Sequence, residues 1–92
     1  MGGTGQKQLT QAIKATVRYR VRSKMEMEVL DIAEGGCMVD ARGWGAKPDE
    51  RVLVKLPGLG ELPAKVAWIE DSRAGLAFEE PLYGPVLERF FE

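Results

Sequence analysis

Six short runs in which apolar residues recur at every second position, each cut off by turn residues, constrain this chain more than any other feature. The runs are Thr16–Val21, Met25–Ile32, Gly36–Val39, Arg51–Leu56, Leu62–Ile69 and Ala74–Phe78. Alternation with period two places one face of each run in a core and the other in water, the pattern of half-buried strands. Short strands at regular spacing predict an all-β fold, a small six-stranded antiparallel β-barrel, because closure removes the exposed edges that so small a sheet cannot cover. From Pro81 the period changes to 3.6. Leu82, Val86, Leu87, Phe90 and Phe91 then share one side of a short C-terminal α-helix, with Pro85 in its first turn.

Several side chains carry specific expectations. In the first run Val17, Tyr19 and Val21 face inward, leaving Arg18, Arg20 and Arg22 outside. Arg22-Ser23-Lys24 makes the turn, and Glu26 and Glu28 return across from the arginines. The alternation slips at Val29-Leu30, where both neighbours are apolar, which a β-bulge or a strand that becomes buried on both sides would explain. Ala64, Val66 and Trp68 share the inward face of the fifth run. Cys37 is expected to be a buried small hydrophobe. Trp44, in the glycine- and proline-broken loop Arg42–Asp49, either caps one end of the barrel or stands exposed as a contact residue. Residues 1–13 read as a flexible leader and 14–92 as the barrel domain with its helix. In the leader, Leu9, Ala12 and Ile13 form one apolar helical face too short to be stable alone.

Composition narrows the chemistry. The chain has no histidine and one cysteine, which removes imidazole acid–base catalysis, Ser–His and Cys–His nucleophile pairs, and the common zinc arrangements. An enzyme is not expected, nor an internal disulfide. No apolar run is long enough to cross a bilayer, so no membrane insertion is expected and the cytoplasm is the expected address. Gly2-Gly3-Thr4-Gly5-Gln6-Lys7 has the glycines of a phosphate-binding loop but no preceding strand and no Ser or Thr after the lysine. The net charge of −1 hides an asymmetry. Up to Lys24 every charged residue is basic (Lys7, Lys14, Arg18, Arg20, Arg22 and Lys24), and all 14 acids follow. That points to a local anion site and away from general DNA binding, which needs a basic domain overall.

The stretch that faces this basic leader is Val29-Leu30-Asp31-Ile32-Ala33-Glu34-Gly35-Gly36. It sets an acid inside an apolar strand end and closes with tandem glycines, which supply the positive φ angles and close backbone approach of a sharp strand-to-strand turn. In this order of elements the chain resembles the PilZ domain family. The family's second motif, Asp-x-Ser-x-x-Gly, is matched at Asp31 and Gly36, with Ala33 at the serine position. The stretches with Leu56-Pro57-Gly58, Ala64–Glu70 and Arg73–Phe78 resemble the family's closing strands. The resemblance spans about Lys14 to Phe91.

The resemblance implies a bacterial receptor for the second messenger cyclic di-GMP, with no cofactor. It also implies that the family's first motif, Arg-x-x-x-Arg before the first strand, should hold phosphate and stack on guanine, tasks suited to a planar guanidinium. Arg18 and Arg22 have that motif's spacing but lie within the first strand. Aligned by strand register, Thr10 and Lys14 take its places instead. The candidate ligand-binding residues are therefore Lys14, Arg18, Arg22, Asp31, Ala33 and Gly36. Each charge-assisted phosphate contact is worth about 1.5–3 kcal/mol, so two lost contacts cost about two or more decades of affinity. A receptor of weakened affinity is the expected function. The alternative is a degenerate domain that binds no nucleotide and contacts a protein partner, as a monomer or weak dimer. Asp31 also has a local role open to it, hydrogen-bonding backbone in the turn.

Overall fold

The computed structural model describes residues 9, 12–20 and 23–91. It is a closed barrel of six antiparallel strands in the order β1-β2-β3-β6-β5-β4. The strands are β1 (Ile13–Arg20), β2 (Ser23–Ala33), β3 (Gly36–Asp40), β4 (Arg51–Lys55), β5 (Glu61–Glu70) and β6 (Arg73–Phe78), and β1 closes the ring by pairing with β4. One short helix, α1 (Gly84–Glu88), follows. The inward residues are those the period-two pattern marks: Val17, Val39, Val54, Val66, Leu56 and Leu76 are almost fully buried, and Cys37 lies among them. Among the described residues no buried side chain is charged, and no helix is long and apolar enough to cross a membrane.

Several expectations need correction. Ile13, read as part of a helical face with Leu9 and Ala12, is the first residue of β1 and is buried, while Leu9 makes an isolated bridge to Phe91. Val21 and Arg22 lie outside the described residues, and Ser23 and Lys24 already belong to β2. Glu26 and Glu28 do not face the arginines. They pair with Thr16 and Lys14, and Arg18 lies opposite Lys24. Arg18 bonds Glu61 at 3.1 Å and Arg20 bonds Glu50 at 3.4 Å, partners contributed from the β4–β5 side. The terminal helix is only five residues long and buries none of them. Leu82 before it and Phe90 after it are the buried anchors.

Trp44 caps the barrel end. It is buried, with its ring edge-on to Tyr19 at 5.4 Å and 88°. Its indole Nε1 has no hydrogen-bond partner among the described residues, which carries a desolvation cost. At the start of the same loop Asp40 accepts from the Arg42 guanidinium at 2.8 Å and from the Arg42 backbone N–H at 3.1 Å. These bonds hold the Asp40 carboxyl below its ordinary range. Asp71 and Ser72, with φ of 53° and 64°, form the two-residue β5–β6 turn whose twist matches the strands.

The β2–β3 turn is held differently from the expectation. Neither Gly35 nor Gly36 is in the left-handed region, where the positive-φ glycines are Gly43 and Gly58. Gly36 is required by contact instead: a Cβ there would overlap the Leu76 carbonyl oxygen of β6, whereas one on Gly35 would meet open space. The turn is also fixed from outside, since its Glu34 and Gly35 carbonyls accept from Leu82 and Phe78 N–H at 2.8 and 2.9 Å.

Two consequences are measurable. Gly36→Ala is expected to lose at least about 2 kcal/mol in urea denaturation, and Gly35→Ala to change stability by less than about 0.5 kcal/mol. Burial pushes the Cys37 thiol up to about 12 from 9.0, so the folded chain keeps it protonated while the unfolded chain ionises near 9. Native protein should then resist a thiol reagent at pH 8 and react once denatured. Its stability should fall as pH rises from 9 toward 12, the window between the two values.

Candidate functional site

The sequence motif around Asp31 opens onto the outside of the barrel because of a single extra residue. In β2, Val29 pairs with Val39 and Asp31 with Met38, leaving Leu30 unpaired as the bulge. Strict alternation after buried Val29 would turn Asp31 inward. The bulge resets the phase, so Leu30 and Asp31 are both exposed and Ile32 returns to the core. Of the two explanations open from the sequence, a bulge or a strand buried on both sides, the structure shows the bulge.

A second bulge of the same kind lies in β5. Val66 pairs with Leu76 and Trp68 with Gly75, which leaves Ala67 unpaired. Trp68, expected in the core beside Ala64 and Val66, is therefore turned outward and is 39% exposed. Its indole lies against β6 where Gly75 has no side chain, since a Cβ on Gly75 would overlap the ring. The rest of the indole is exposed on the outer surface.

Register then sets these residues in a row. Asp31 pairs with Met38, Met38 with Gly75 and Gly75 with Trp68, so four strands carry them side by side. Three interstrand spacings separate Asp31 from Trp68, roughly 14 Å of backbone. The next outward row is Ala33, Gly36, Ala77 and Lys65. Small side chains at Ala33, Gly36, Gly75 and Ala77 floor an open depression of about 410 Å³, with Asp31 at one rim and Trp68 at the other.

The Asp31 carboxylate accepts from the Ile32 backbone N–H at 2.9 Å through Oδ1, the local role open to it from the sequence. Its second oxygen has no partner among the described residues. Ala33 presents a methyl where a hydroxyl would supply a donor and an acceptor. Asp31 is the only charged residue lining the depression among the described residues.

The basic candidates lie elsewhere. Lys14 faces Glu28 across the β1–β2 ladder, three residues short of Asp31 or about 10 Å along the strand. It lines a separate cleft at the barrel end with Leu59, Arg89 and Phe90. Arg18 pairs with Lys24, seven residues and roughly 23 Å along β2 from Asp31. Arg22 and Thr10 lie outside the described residues. The structure thus brings Asp31, Ala33 and Gly36 together and separates Lys14 and Arg18 from them. Among the described residues no cluster of three or more His, Cys, Asp or Glu side chains could hold a metal ion.

The match to known families agrees with this architecture. The PilZ domain model matches residues 8–89 of the 92-residue chain. The chain belongs to the PilZ domain family. That family comprises signalling domains of the cyclic di-GMP-binding type, receptor and adaptor modules and not enzymes. No curated protein matches the chain. In this PilZ domain the second-motif positions Asp31, Ala33 and Gly36 share one depression with Trp68, which reasoning from the sequence assigned to the core. The signal for Trp68 was present: Val66-Ala67-Trp68-Ile69 breaks alternation as Val29-Leu30 does, and Gly75 within a strand marks a close approach.

The two tryptophans should be distinguishable in solution. In Trp44→Phe protein the remaining Trp68 should emit at longer wavelength and be quenched by acrylamide. In Trp68→Phe protein, Trp44 should emit at shorter wavelength and be shielded. Equal quenching of both would contradict the outward placement of Trp68.

Proposed function

We propose that this PilZ domain is a cyclic di-GMP receptor or adaptor whose recognition is led by the base and not by the phosphates. The observation that carries this reading is the row of Asp31, Met38, Gly75 and Trp68, which sets a free carboxylate oxygen and an exposed indole on one depression. Guanine offers two adjacent N–H donors on its Watson–Crick edge, which a carboxylate accepts, and a flat π-face, which an indole stacks on. The small floor residues let the purine approach the backbone. On this reading the ligand-binding residues are Asp31, Ala33 and Gly36, with Trp68 added, and the domain works in the cytoplasm.

Phosphate contact is the weak half. Among the described residues none lining the depression is basic, and Ala33 cannot supply the hydroxyl of the family motif. Lys14 lies closer to the depression than Arg18 does, and is the better candidate for a long-range phosphate contact. Arg18 is engaged with Glu61, and on this geometry acts in another role. The same lack of basic lining favours a second reading, a domain that has lost nucleotide binding and works through a protein partner alone.

Calorimetric titration of the full chain with cyclic di-GMP separates the two. The first reading expects saturable binding in the micromolar range. Trp68→Ala should weaken it by about fivefold to a hundredfold, as removal of a stacked base platform does. Asp31→Ala should cost at least about tenfold, and Ala33→Ser should tighten binding by up to about tenfold. Salt should affect the isotherm little, because few phosphate charges are neutralised. Absence of heat and of amide shifts at about millimolar ligand, far above the affinity range expected of a specific site, would leave the second reading standing.

A further inference from the structure

A second cleft of about 680 Å³ lies on the outer face of β1 and β4, across the barrel from the β2–β3–β6–β5 depression. Arg18, Arg20 and Arg51 line it together with Tyr19, Leu53 and Pro63 and a single acid, Glu79. Lys24 borders Arg18 across the β1–β2 ladder, and Lys65 borders Arg51 across β4–β5. The chain as a whole carries a net charge of −1, so this concentration of cations is a property of one face.

These cations are not committed to the fold. Arg18 and Arg20 pair with Glu61 and Glu50 while their side chains remain 53% and 56% exposed. Exposed pairs of that kind cost little to open, and another carboxylate can exchange into them. Arg51, Lys24 and Lys65 have no ion pair among the described residues. Leu53 is half-buried and Pro63 exposed, so the cleft also presents apolar surface.

We propose that this face docks a segment of a partner protein in which acidic residues alternate with apolar ones. Charge complementarity and the guanidinium fork call for carboxylates, and Leu53 and Pro63 call for apolar side chains between them. The segment binds side chain to side chain. A closed barrel already pairs every strand on both edges, so no partner strand can be added. A nucleic acid fits less well. Tyr19, the aromatic ring lining the cleft among the described residues, is engaged by Trp44 at 5.4 Å and by the Arg20 guanidinium at 5.5 Å, which removes it as a base-stacking platform. This docking face does not depend on nucleotide binding at Asp31 and Trp68.

The test is amide-resolved NMR on the full chain, titrated with a short synthetic peptide of alternating Glu with Leu and Ser. Saturable shifts should concentrate at Arg18–Arg20 and Arg51–Leu53 and fade as salt is raised. The double variant Lys24→Glu, Arg51→Glu should keep the dispersed barrel spectrum and bind at least about tenfold more weakly. Asp31→Ala with Trp68→Ala should leave peptide binding unchanged, which separates this face from the nucleotide site. A glutamine-for-glutamate peptide and oligothymidylate should give no shifts at this face. Absence of peptide shifts, equal shifts with oligothymidylate, or indifference to the double variant would overturn the proposal. Concentration-dependent shifts here without peptide would overturn it in favour of a second copy of the chain.

Discussion

Strand register in a closed ring is shared by every neighbour, so one unpaired residue changes which side chains a whole strand end presents. Beside the outer depression Leu30 and Ala67 are such residues, in β2 and β5, as Tyr19 is in β1. Without the first, alternation would carry the Asp31 carboxylate into an apolar interior, where an unpaired charge is far more costly than a locally interrupted ladder. Without the second, Trp68 would have to enter a core already filled by Val54, Val66 and Leu76. Each bulge therefore protects the packing and, by the same displacement, builds a rim of the outer depression. The candidate site follows from how the core is kept dry and well filled.

Much of this was legible in the sequence because period-two alternation and turn chemistry are local signals. Six strands in antiparallel order, the slip in alternation at Leu30 and the burial of Cys37 all follow from residues within a few positions of one another. What was not legible depends on partners far along the chain. Trp68 reads as a core residue until Ala67 is known to be unpaired and Gly75 known to lie opposite. Arg18 and Arg20 take Glu61 and Glu50 from the β4–β5 side, and nothing near them in sequence distinguishes those acids from Glu26 and Glu28. The helix was overread for another reason. Leu82 and Phe90 satisfy a helical period, but they are anchors on either side of five helical residues.

The tandem glycines show the limit of reading a turn from composition. Gly35-Gly36 was expected for its backbone angles, and the conformation requires neither to be left-handed. Gly36 is needed because β6 passes over it, and Gly75 because the Trp68 ring does. Both are absences of side chain at a packing contact, and together they form the floor on which the ligand reading depends. The motif Asp31–Gly36 folds as one cluster, and Lys14 and Arg18 lie apart from it. An interval of eight residues between Arg22 and Asp31 cannot say which face or which level of a barrel each occupies.

Two recognition faces on so small a barrel raise the question of coupling. They share β5, which carries Trp68 on one side and Pro63 on the other. Coupling needs an element with two arrangements whose balance both ligands shift. The barrel wall does not offer one, because every strand is paired on both edges and the interior behind β5 is almost fully buried. A nucleotide at Asp31 therefore influences a partner at Arg51 only if that partner is large enough to touch both faces, or if the C-terminal segment moves. That segment is tied to the motif turn through Leu82 and Glu34. The same turn also holds β6, through the Gly35 carbonyl and the Phe78 N–H, so a displaced turn would pull on the closed ring as well as on the C-terminal segment.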